Sequence, residues 1–598
     1  MPTPISQDAK KSLQDKIQQC DTLSHEEKST LYGLLSERKR YGLVWEDKPE
    51  QAYEQLRTQI PVFTEVPERR IMGSSADAPN HILIEGDNLH ALTAMQYTHA
   101  GKVDVIYIDP PYNTGNKDFS YNDTFVDKED QWRHSKWLSF MEKRLKLAKT
   151  LLKETGVIFI SIDDNEQAQL RLVCDELFNS GRSQNDPNYL ATLIWNLGTG
   201  TSAGHFTRSH EYVLAYAKEK SLLENFSGGE GLIDDRAIKK VSIKNPASDF
   251  SFPAGTEVDS ETDFELFDNW GDNETTILVS GRFIVKDKKL VEPITLRAGW
   301  TQKSQMKAFF DGQDVFDSKG QKVLRFYFRE NGKIYCQKQR ERLNPPTVLD
   351  DVGSTKTGTT RLAEIFGEST FAFPKSQRLI EFLIGLSSKS DSLILDFFAG
   401  SGTTLHATMA LNAEDGGKRQ CILVTNNENE ICEKVTYERN KRVIQGYTNS
   451  KGEQVPGLTD NSLRYYRTEF VTREISLRNR FELTRKTLDL LCVKEDCYTP
   501  RNDLSCQEFQ VFEATAFMLF LVLNPDSIDD VIQVIASQTK RCKVYVHSPD
   551  ADPFSMDFDE ICDKIELHAL PDSFHRALRE FLPDTNTDSV ETAENQDD

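Results

Sequence analysis

A chain of 598 residues is longer than one hydrophobic core usually supports, so we expect about three or four structural units. Apolar residues make up 38% of the sequence, but no uninterrupted apolar run reaches the roughly eighteen residues of a membrane-spanning helix. We therefore predict no membrane segment. Residues 1–30 are polar and charged and lack the apolar centre of a signal peptide, which indicates an intracellular, cytoplasmic protein.

The formal net charge of −22 argues against non-specific coating of nucleic acid, although a local basic face remains compatible with DNA binding. The ten cysteines are scattered and show no second Cys or His pair at zinc-ligand spacing. We expect reduced thiols and no bound metal. Residues 584–598 contain acids and no base, which predicts a disordered acidic tail.

Residues 1–70 alternate charged and apolar positions at helical spacing, which predicts a helical segment. This segment either caps the next domain or mediates oligomerisation, and the sequence leaves both open. From residue 80, three short apolar runs, 81–84, 103–108 and 156–160, each end in polar residues, and an amphipathic stretch covers 130–153. Alternating strands and helices predict a parallel α/β sheet, with the three polar endings on its ligand-binding edge.

A different texture begins between residues 190 and 230 and continues to about 350, with short β-like runs and many Gly, Asp, Asn and aromatic residues. We interpret it as a strand-rich insertion, after which the α/β pattern resumes at 392–398 and 421–425. The predicted domains after the helical start are 71–220, 221–350, 351–465 and 466–583.

The segment from Asp396 to Thr404 reads as an apolar strand that ends in an acid, turns through Gly400 and Gly402, and starts a helix at Thr403. Glycines let a cofactor approach the backbone, and a helix N-terminus suits a negatively polarised group. The alternative is a strand-turn-helix joint without a ligand. No Lys follows Gly402 as a nucleoside triphosphate loop requires, and residues 353–360, which also lack that Lys, are predicted to be a loop.

The segment Asp109-Pro110-Pro111-Tyr112 places an acid, two prolines and an aromatic ring at the end of a predicted strand. The prolines cannot continue a strand ladder and stiffen the turn. An exocyclic amine could donate to Asp109 and to the Pro110 carbonyl while its ring stacks on Tyr112. The alternative, a strand-ending turn with a surface Tyr, is equally consistent with these four residues alone. A cofactor loop on the same sheet favours the functional interpretation.

These two strings resemble those of the DNA amino-methyltransferases, in the order of the circularly permuted β group. In that group the catalytic half precedes the cofactor half, and a target-recognition insertion separates them. More closely, the chain resembles the modification (Mod) subunit of type III restriction-modification systems over most of its length. The segments that carry this resemblance are 39–46, 85–89, 106–119, 156–166, 209–212 and 373–375.

The resemblance implies a circularly permuted Rossmann-like methyltransferase sheet with an inserted strand-rich target-recognition domain, a helical N-terminal segment and an α/β C-terminal domain. It implies methyl transfer from S-adenosyl-L-methionine to N6 of adenine, flipped out of double-stranded DNA, with no metal. It also implies a homodimer and a Res helicase-nuclease partner. A solitary methyltransferase and cytosine-N4 specificity are the alternatives, but Asp before Pro-Pro-Tyr usually accompanies adenine.

The same resemblance assigns roles to individual positions. The residues that would hold the flipped base are Asp109, Pro110, Pro111 and Tyr112. The cofactor residues would be Asp87, Lys375, Asp396, Phe397, Phe398, Ala399, Gly400, Ser401, Gly402, Thr403 and Glu428. The wall of the base pocket would include Phe119, Trp195 and the region 209–218. One position departs from the family: Thr425 and Asn426 stand where an acid usually binds the cofactor ribose. Glu428 takes that role here, unless it is only a helix-start acid.

Overall fold

A computed structural model describes most of the chain in several stretches. They are residues 45, 48–75, 77–115, 119–121, 124–127, 129–179, 187–203, 205–228, 231–271, 274–340, 344–368, 370–474 and 476–583. The acidic tail 584–598 and nearly all of the predicted helical start before residue 48 lie outside the described residues. The chain divides into two compact units, one continuing to Leu222 and resuming at Asp350, the other formed by Leu223–Leu349 with residues 385–387.

The first unit begins with alternating strands and helices. Its early strands are β1 (Gln59–Glu65), β2 (Asn80–Glu85), β3 (Val103–Ile108), β4 (Ser120–Tyr121), β5 (Thr124–Phe125), β6 (Leu152–Ile162), β7 (Tyr189–Ala203) and β8 (Phe206–Ala217). Its early helices are α1 (Gln51–Gln55), α2 (Asn88–His99), α3 (Arg133–Leu151) and α4 (Gln167–Phe178). The strands predicted from the three apolar runs and the helix predicted between the second and third are confirmed.

The second unit is rich in strands. They are β9 (Gly231–Arg236), β10 (Ser248–Phe252), β11 (Glu257–Asp259), β12 (Phe264–Leu266), β13 (Asn269–Trp270), β14 (Thr276–Ser280), β15 (Phe283–Lys286), β16 (Lys289–Leu290), β17 (Ile294–Ala298), β18 (Val323–Arg329), β19 (Ile334–Arg340) and β20 (Val348–Leu349), with one helix, α5 (Lys303–Phe310). Most of them form two sheets, in the orders β10-β17-β14-β13 and β12-β15-β16-β11-β18-β19-β9. The ring of Phe328 contacts Phe252 and Phe283, with centroids 4.8 and 5.1 Å away, in the core of this unit.

The first unit resumes with the remaining elements. Its later helices are α6 (Thr355–Phe366), α7 (Gln377–Ser387), α8 (Thr403–Asp415), α9 (Glu438–Gln445), α10 (Leu477–Lys486), α11 (Leu488–Glu495), α12 (Ile528–Ala536) and α13 (Asp572–Leu578), with a π-helical turn at Ile431–Tyr437. Its later strands are β21 (Leu393–Asp396), β22 (Gln420–Thr425), β23 (Tyr447–Thr448), β24 (Gln454–Val455), β25 (Ser462–Thr472), β26 (Thr499–Pro500), β27 (Phe509–Glu513), β28 (Phe517–Val522), β29 (Arg541–His547) and β30 (Ile565–Leu570).

The loop predicted for residues 353–360 is wrong, because α6 begins at Thr355. Ser354 caps this helix, and its side chain and that of Thr357 form a reciprocal capping box. Leu362 and Ile365 are buried one turn apart on the inner face of the helix. The absence of a phosphate-loop Lys does not decide the local structure here. The capping residue Ser354 does, because it starts the helix.

The main sheet of the first unit is a mixed α/β sheet, which confirms the predicted α/β class. Its strands run in the order β1-β25-β2-β22-β21-β3-β6-β8-β7. All neighbours from β25 to β6 are parallel, whereas β1, β8 and β7 pair antiparallel. The carboxyl ends of β2, β22, β21, β3 and β6 therefore lie at one edge of the sheet, where ligands bind in such folds.

The C-terminal elements form a second sheet within the first unit, in the order β26-β27-β28-β29-β30. Leu519, Leu521 and Tyr545 from one face of this sheet belong to the same hydrophobic core as α2 and the main sheet. Phe574 of α13 packs edge-on against Tyr97 of α2, with ring centroids 5.0 Å apart. The C-terminal residues are thus packed onto the helical layer of the main sheet.

Within the described residues, no helix combines the length and hydrophobicity needed to cross a membrane. Nine cysteines lie in this part of the chain, and all of them are free thiols. No group of three or more His, Cys, Asp or Glu side chains there is arranged to hold a metal ion.

Arg144 is a buried cation that joins three segments of the first unit. Its side chain is 0% exposed and pairs with Glu50 at 2.7 Å and with Asp87 at 3.3 Å. We predict that Arg144→Met lowers the free energy of unfolding by about 3–5 kcal/mol, because Glu50 is left buried without its partner. Urea unfolding of the purified protein measures the change. Lys146→Met removes an exposed ion pair with Glu142 from the same helix and should cost less than about 1 kcal/mol. Equal losses in both variants would contradict the prediction.

Candidate active site

The turn after β3 carries Asp109, Pro110, Pro111 and Tyr112 at the carboxyl edge of the main sheet. The indole Nε1 of Trp137 on α3 donates to the Pro111 carbonyl at 2.7 Å. This hydrogen bond fixes the turn against α3, the next helix in the chain. The side chain of Asp109 is 28% exposed and that of Tyr112 is half-buried, so both remain partly open at the sheet edge.

Asn113 and Glu166 hold the far side of this turn. Asn113 has a φ of +57°, and its Nδ2 donates to Glu166 Oε1 at 2.5 Å. The Glu166 side chain is 0% exposed and also lies 2.6 Å from His134 Nδ1. Burial raises the pKa of Glu166 to about 8, despite the opposing hydrogen bond from Asn113. A neutral carboxyl group is therefore favoured at this position near pH 7.

Asp109 belongs to a cluster of charged and aromatic side chains. Its Oδ1 is buried and makes no hydrogen bond of standard geometry, and the ammonium of Lys375 lies 3.2 Å away. Lys375 is 7% exposed and lies 3.1 Å from Glu211 Oε2. The Tyr112 hydroxyl donates to the same Glu211 oxygen at 3.0 Å. Two residues predicted from sequence, Asp109 and Tyr112, are thus joined through Lys375 and Glu211.

The ring systems complete this cluster. The Lys375 ammonium lies 4.7 Å from the centroid of the Tyr112 ring and 5.6 Å from that of Trp195. Trp195 on β7 is fully buried, and its Nε1 donates to the Gly353 carbonyl at 2.7 Å. The structure therefore brings Trp195 to the same cluster as Asp109 and Tyr112.

The charged groups in the cluster shift one another's pKa values. Burial raises the pKa of Asp109, the ammonium of Lys375 opposes this, and the carboxylate of Glu211 adds to it. Burial lowers the pKa of Lys375, but Asp109 and Glu211 together raise it above its ordinary value. Burial followed by the charges of Asp109 and Glu211 raises the pKa of Tyr112 well above its usual range. Lys375 is therefore held as a cation between the side chains of Asp109 and Glu211.

The glycine loop lies at the end of β21, next to β3 in the sheet. Asp396 is 2% exposed; its Oδ1 accepts from the Phe398 amide at 3.0 Å, and its Oδ2 accepts from the Thr404 hydroxyl at 2.5 Å. Burial raises the pKa of Asp396 to about 7, against these two hydrogen bonds. The Asp396 carboxyl group therefore closes the loop internally, between the strand and the first turn of α8.

Gly400 and Gly402 have different reasons to be glycine. Both adopt left-handed backbone conformations, with φ of +49° and +72°. A Cβ at Gly402 would lie 2.4 Å from Asn440 Nδ2, so that position is closed by packing. A Cβ at Gly400 would have the Phe371 ring as its nearest neighbour, at 3.5 Å. The space where a Gly400 side chain would project therefore contains only the Phe371 ring and, 3.7 Å away, the Phe398 carbonyl, whereas the Gly400 carbonyl accepts from the Thr436 hydroxyl at 2.6 Å.

Arg439 stabilises the glycine loop by hydrogen bonds. It was not predicted from the sequence. It is 1% exposed, and its Nη1 donates to the Thr403 hydroxyl at 2.6 Å and to the Ser401 carbonyl at 3.3 Å. Burial lowers the pKa of Arg439 to about 9. Neighbouring Asn440 donates to the Gly402 carbonyl at 3.3 Å. The loop is therefore held by side chains of the helix that follows β22.

The remaining predicted residues lie at several places along the sheet edge. Asp87 caps α2 by accepting from the Leu89 amide at 2.7 Å, and Asn88 donates to the Phe397 carbonyl at 2.9 Å. Buried Phe119 and half-buried Phe398 both pack on the Phe140 ring, with centroids 5.3 and 5.9 Å away. The positions of Ala399 and Ser401 are buried within the loop. Glu428 is exposed, in a 3-10 turn that follows β22.

Three supporting residues had no individual assignment from the sequence: Glu166, Glu211 and Arg439. Glu211 fell within the region 209–218 that was expected to line the base pocket, and Glu166 stood at the end of one matching segment. Both are acids next to aromatic or amide residues within segments that carry the family resemblance, which is the signal that could have identified them. Arg439 lies in an ordinary-looking charged helix and carries no such signal.

Comparisons with known proteins agree with this geometry. Residues 103–445, more than half of the chain, match the family described as DNA methylase. The chain is 31% identical over 466 residues to the type III restriction-modification enzyme EcoPI Mod subunit of Escherichia phage P1, covering 70% of this chain and 68% of that one. It is 33% identical over 397 residues to the StyLTI Mod subunit of Salmonella typhimurium, covering 60% and 55%.

A third relative is a type II enzyme. The chain is 31% identical over 401 residues to the type II methyltransferase M.KpnI of Klebsiella pneumoniae, covering 63% of this chain and 88% of that one. The Mod subunits are matched over a little more than half to two thirds of their lengths. The predicted resemblance to Mod subunits is confirmed. With the Asp109 turn and the glycine loop both inside the matched region, the chain belongs to the DNA methylase family, in the group that contains the type III Mod subunits.

Proposed function

We propose that this chain transfers a methyl group from S-adenosyl-L-methionine to N6 of adenine in a short DNA sequence, as the modification and DNA-recognition subunit of a type III restriction-modification system. The observation that carries the proposal is the pairing of two sites on adjacent strands. Asp109 and Tyr112 follow β3, and the glycine loop follows β21, at the same edge of one sheet. Membership of the DNA methylase family supports this chemistry.

The glycine loop fits the cofactor. S-adenosyl-L-methionine, when bound, supplies an electrophilic methyl group on its sulfonium sulfur. The open space where a Gly400 side chain would project gives room for the cofactor beside Phe371, whereas Asp396 keeps the loop in shape through hydrogen bonds with Phe398 and Thr404. We assign Asp87 and the loop residues 396–403 to the cofactor. Exposed Glu428 follows β22 and remains our candidate for the ribose hydroxyls.

The turn after β3 supplies the groups that hold the base. The amine of a stacked adenine is inaccessible, so the base must leave the duplex. Asp109 would accept one amine hydrogen, the Pro110 carbonyl would accept the other, and the Tyr112 ring would stack on the base. These contacts position the nitrogen lone pair, and the Asp109 carboxylate stabilises the positive charge that develops on the nitrogen. The rigid turn, fixed by Trp137 and Asn113, keeps these groups in place before the base arrives.

The chain order supports a circularly permuted methyltransferase. β3 and β21 are neighbours in the sheet although nearly three hundred residues separate them, and the second unit falls between them in sequence. We assign residues 71–220 to the catalytic half, 221–350 to target recognition and 351–465 to the cofactor half. Residues 466–583 form a further domain-sized segment packed on α2.

Two features of the second unit support its role in DNA binding. Residues 223–349 contain 20 acids and 19 bases, whereas the whole chain contains 94 and 72. A tight turn closed by backbone hydrogen bonds between Ser242 and Asn245, both 3.0 Å, places fully exposed Ile243 at its tip. The exposed lysines beside it are Lys239, Lys240 and Lys244, and no acid among the described residues pairs with them. Such a basic hairpin suits contacts with DNA phosphates.

Partners follow from the type III relatives. We propose that the chain binds double-stranded DNA as a homodimer and assembles with a Res helicase-nuclease subunit. The likeness to M.KpnI over 88% of that enzyme supports a second candidate, a methyltransferase without a nuclease partner. Co-purification of the tagged chain with a large ATPase from its native host favours the first, and a free, fully active methyltransferase favours the second. Sequencing of modified bases in cells that express the chain distinguishes N6-methyladenine from N4-methylcytosine.

Asp109→Asn tests the proposed reaction. The amide keeps the shape of the side chain but lacks the negative charge, so we expect methylation of DNA to fall by at least about 100-fold. Transfer of labelled methyl groups measures the rate, and calorimetry should show unchanged binding of S-adenosyl-L-methionine. Glu142→Gln, the same acid-to-amide change at a half-buried residue of α3, is the matched control. Full activity of Asp109→Asn would exclude this mechanism.

The hairpin at residues 239–245 gives a second test. Replacing Lys239, Lys240 and Lys244 with Ala should weaken DNA binding and reduce the slope of log affinity against log salt by about 0.9 for each lost phosphate contact. Cofactor binding should not change. The control is the same replacement of Lys286, Lys288 and Lys289, exposed lysines on another turn of the same unit. Equal losses from both triples would show that overall charge, and not this hairpin, governs binding.

A further inference from the structure

Two charged side chains, Lys375 and Glu211, lie beside Asp109 although neither is needed to accept a hydrogen bond from the target amine. Asp109 needs one acceptor oxygen for the amine, yet Lys375 and Glu211 are also buried beside it, 7% and 16% exposed. Burying three charges is costly unless each of them is paired. The arrangement joins distant parts of the chain, since Glu211 and Lys375 are 164 positions apart in the sequence. The fold therefore assembles this cluster from β8, the turn after β3 and the segment before α7.

The two oxygens of Asp109 have different surroundings. Oδ1 is completely buried and faces the Lys375 ammonium at 3.2 Å. The Asp109 side chain as a whole is nevertheless 28% exposed, so its open surface lies away from Oδ1. The lysine thus occupies one side of the carboxylate and leaves the other side for the target amine.

Glu211 links the cation to the aromatic ring. Its Oε2 accepts hydrogen bonds from the Lys375 ammonium at 3.1 Å and from the Tyr112 hydroxyl at 3.0 Å. Since the ammonium also lies 4.7 Å from the Tyr112 ring centroid, lysine, ring and carboxylate fix one another. The ring on which the base stacks and the acid that accepts its amine are therefore held by one pair of residues.

We propose that Lys375 and Glu211 are positioning residues that orient Asp109 and Tyr112 and set the charge of the site for methyl transfer to an amine. With Asp109 and Glu211 ionised, the cluster carries one net negative charge. Methyl transfer forms an N–C bond as the C–S bond of the sulfonium breaks, so the positive charge moves from sulfur to the target nitrogen, where this negative cluster stabilises it. The nitrogen then loses one proton to water, and S-adenosyl-L-homocysteine leaves. Removing Lys375 makes the cluster more negative, whereas removing the charge of Glu211 makes it less negative. The inference rests on the proposed function and differs from the cofactor-binding role predicted for Lys375 from the sequence.

The two residues should affect the pH dependence in opposite ways. Asp109 must be ionised to accept the amine, and burial raises its pKa while Lys375 lowers it and Glu211 raises it. Without Lys375 the acidic limb of the rate profile should move to higher pH, and without Glu211 it should move to lower pH. The ionisable groups around Asp109 are Lys375, Glu211, Tyr112, Tyr107 and Asp396.

The experiment measures single-turnover methylation of DNA from pH 5 to 9 at saturating S-adenosyl-L-methionine. The variants are Lys375→Met, Lys375→Arg and Glu211→Gln. We expect Lys375→Met to be at least about 100-fold slower near pH 7, with its acidic limb shifted upward, and Lys375→Arg to recover most of that loss. Glu211→Gln should also be slower, with its limb shifted downward. Affinity for S-adenosyl-L-methionine should stay within about twofold of wild type in all three.

Lys153→Met is the matched control, since Lys153 pairs with Asp104 at 2.8 Å at the other end of β3. It should leave the profile unchanged. The inference is overturned if Lys375→Met keeps the wild-type limb, if both limbs move in the same direction, or if Lys375→Met loses cofactor affinity, which would instead support the cofactor role. If Lys375→Met does not fold, Lys375→Gln, which also lacks the positive charge, provides the same comparison with Glu211→Gln. A wild-type protein that methylates no DNA would overturn the proposed function itself.

Discussion

Six neighbouring strands of the first unit run parallel, and this constraint determines where the chemistry-bearing side chains lie. The carboxyl ends of β2, β22, β21, β3 and β6 all meet at one sheet edge. Because β21 and β3 are adjacent, the loop that begins at Asp396 and the turn that begins at Asp109 are neighbours regardless of their distance in sequence. A large insertion between the two strands is tolerated because it leaves the strand order unchanged.

Several carboxyl groups are buried at this sheet edge, and each of them is stabilised by different hydrogen-bond or ion-pair partners. Asp396 is held by the Phe398 amide and the Thr404 hydroxyl, and burial brings its pKa to about 7. Glu166, with a pKa of about 8, is held by Asn113 and His134. These two carboxyl groups therefore support loops with little need for a cation, whereas Asp109 retains Lys375. The contrast is consistent with the role proposed for Asp109, which requires an ionised carboxylate.

The parts of the site that local sequence specifies were predictable. A strand that ends in Asp109 and two prolines, and a strand that ends in Asp396 and a glycine turn, are each determined within about ten residues. Contacts made over long sequence distances were not predictable. Glu211 and Lys375 meet only because β8 pairs with β6 beside β3, and Arg439 reaches the glycine loop from a helix that has no distinctive pattern. At residues 353–360 the prediction failed for a local reason, because Ser354 and Thr357 form a capping box that starts a helix.

The distribution of charge explains why the chain benefits from two units. Methyl transfer to an amine is favoured by a site with negative charge, and the Asp109 cluster carries it. DNA phosphates repel such a site and require bases elsewhere. Residues 223–349 hold 20 acids and 19 bases, which leaves 74 acids and 53 bases in the rest of the chain. Under the proposed function, an insertion with its own core and nearly balanced charge would contact phosphates, while the site at the sheet edge keeps the negative charge proposed for its reaction.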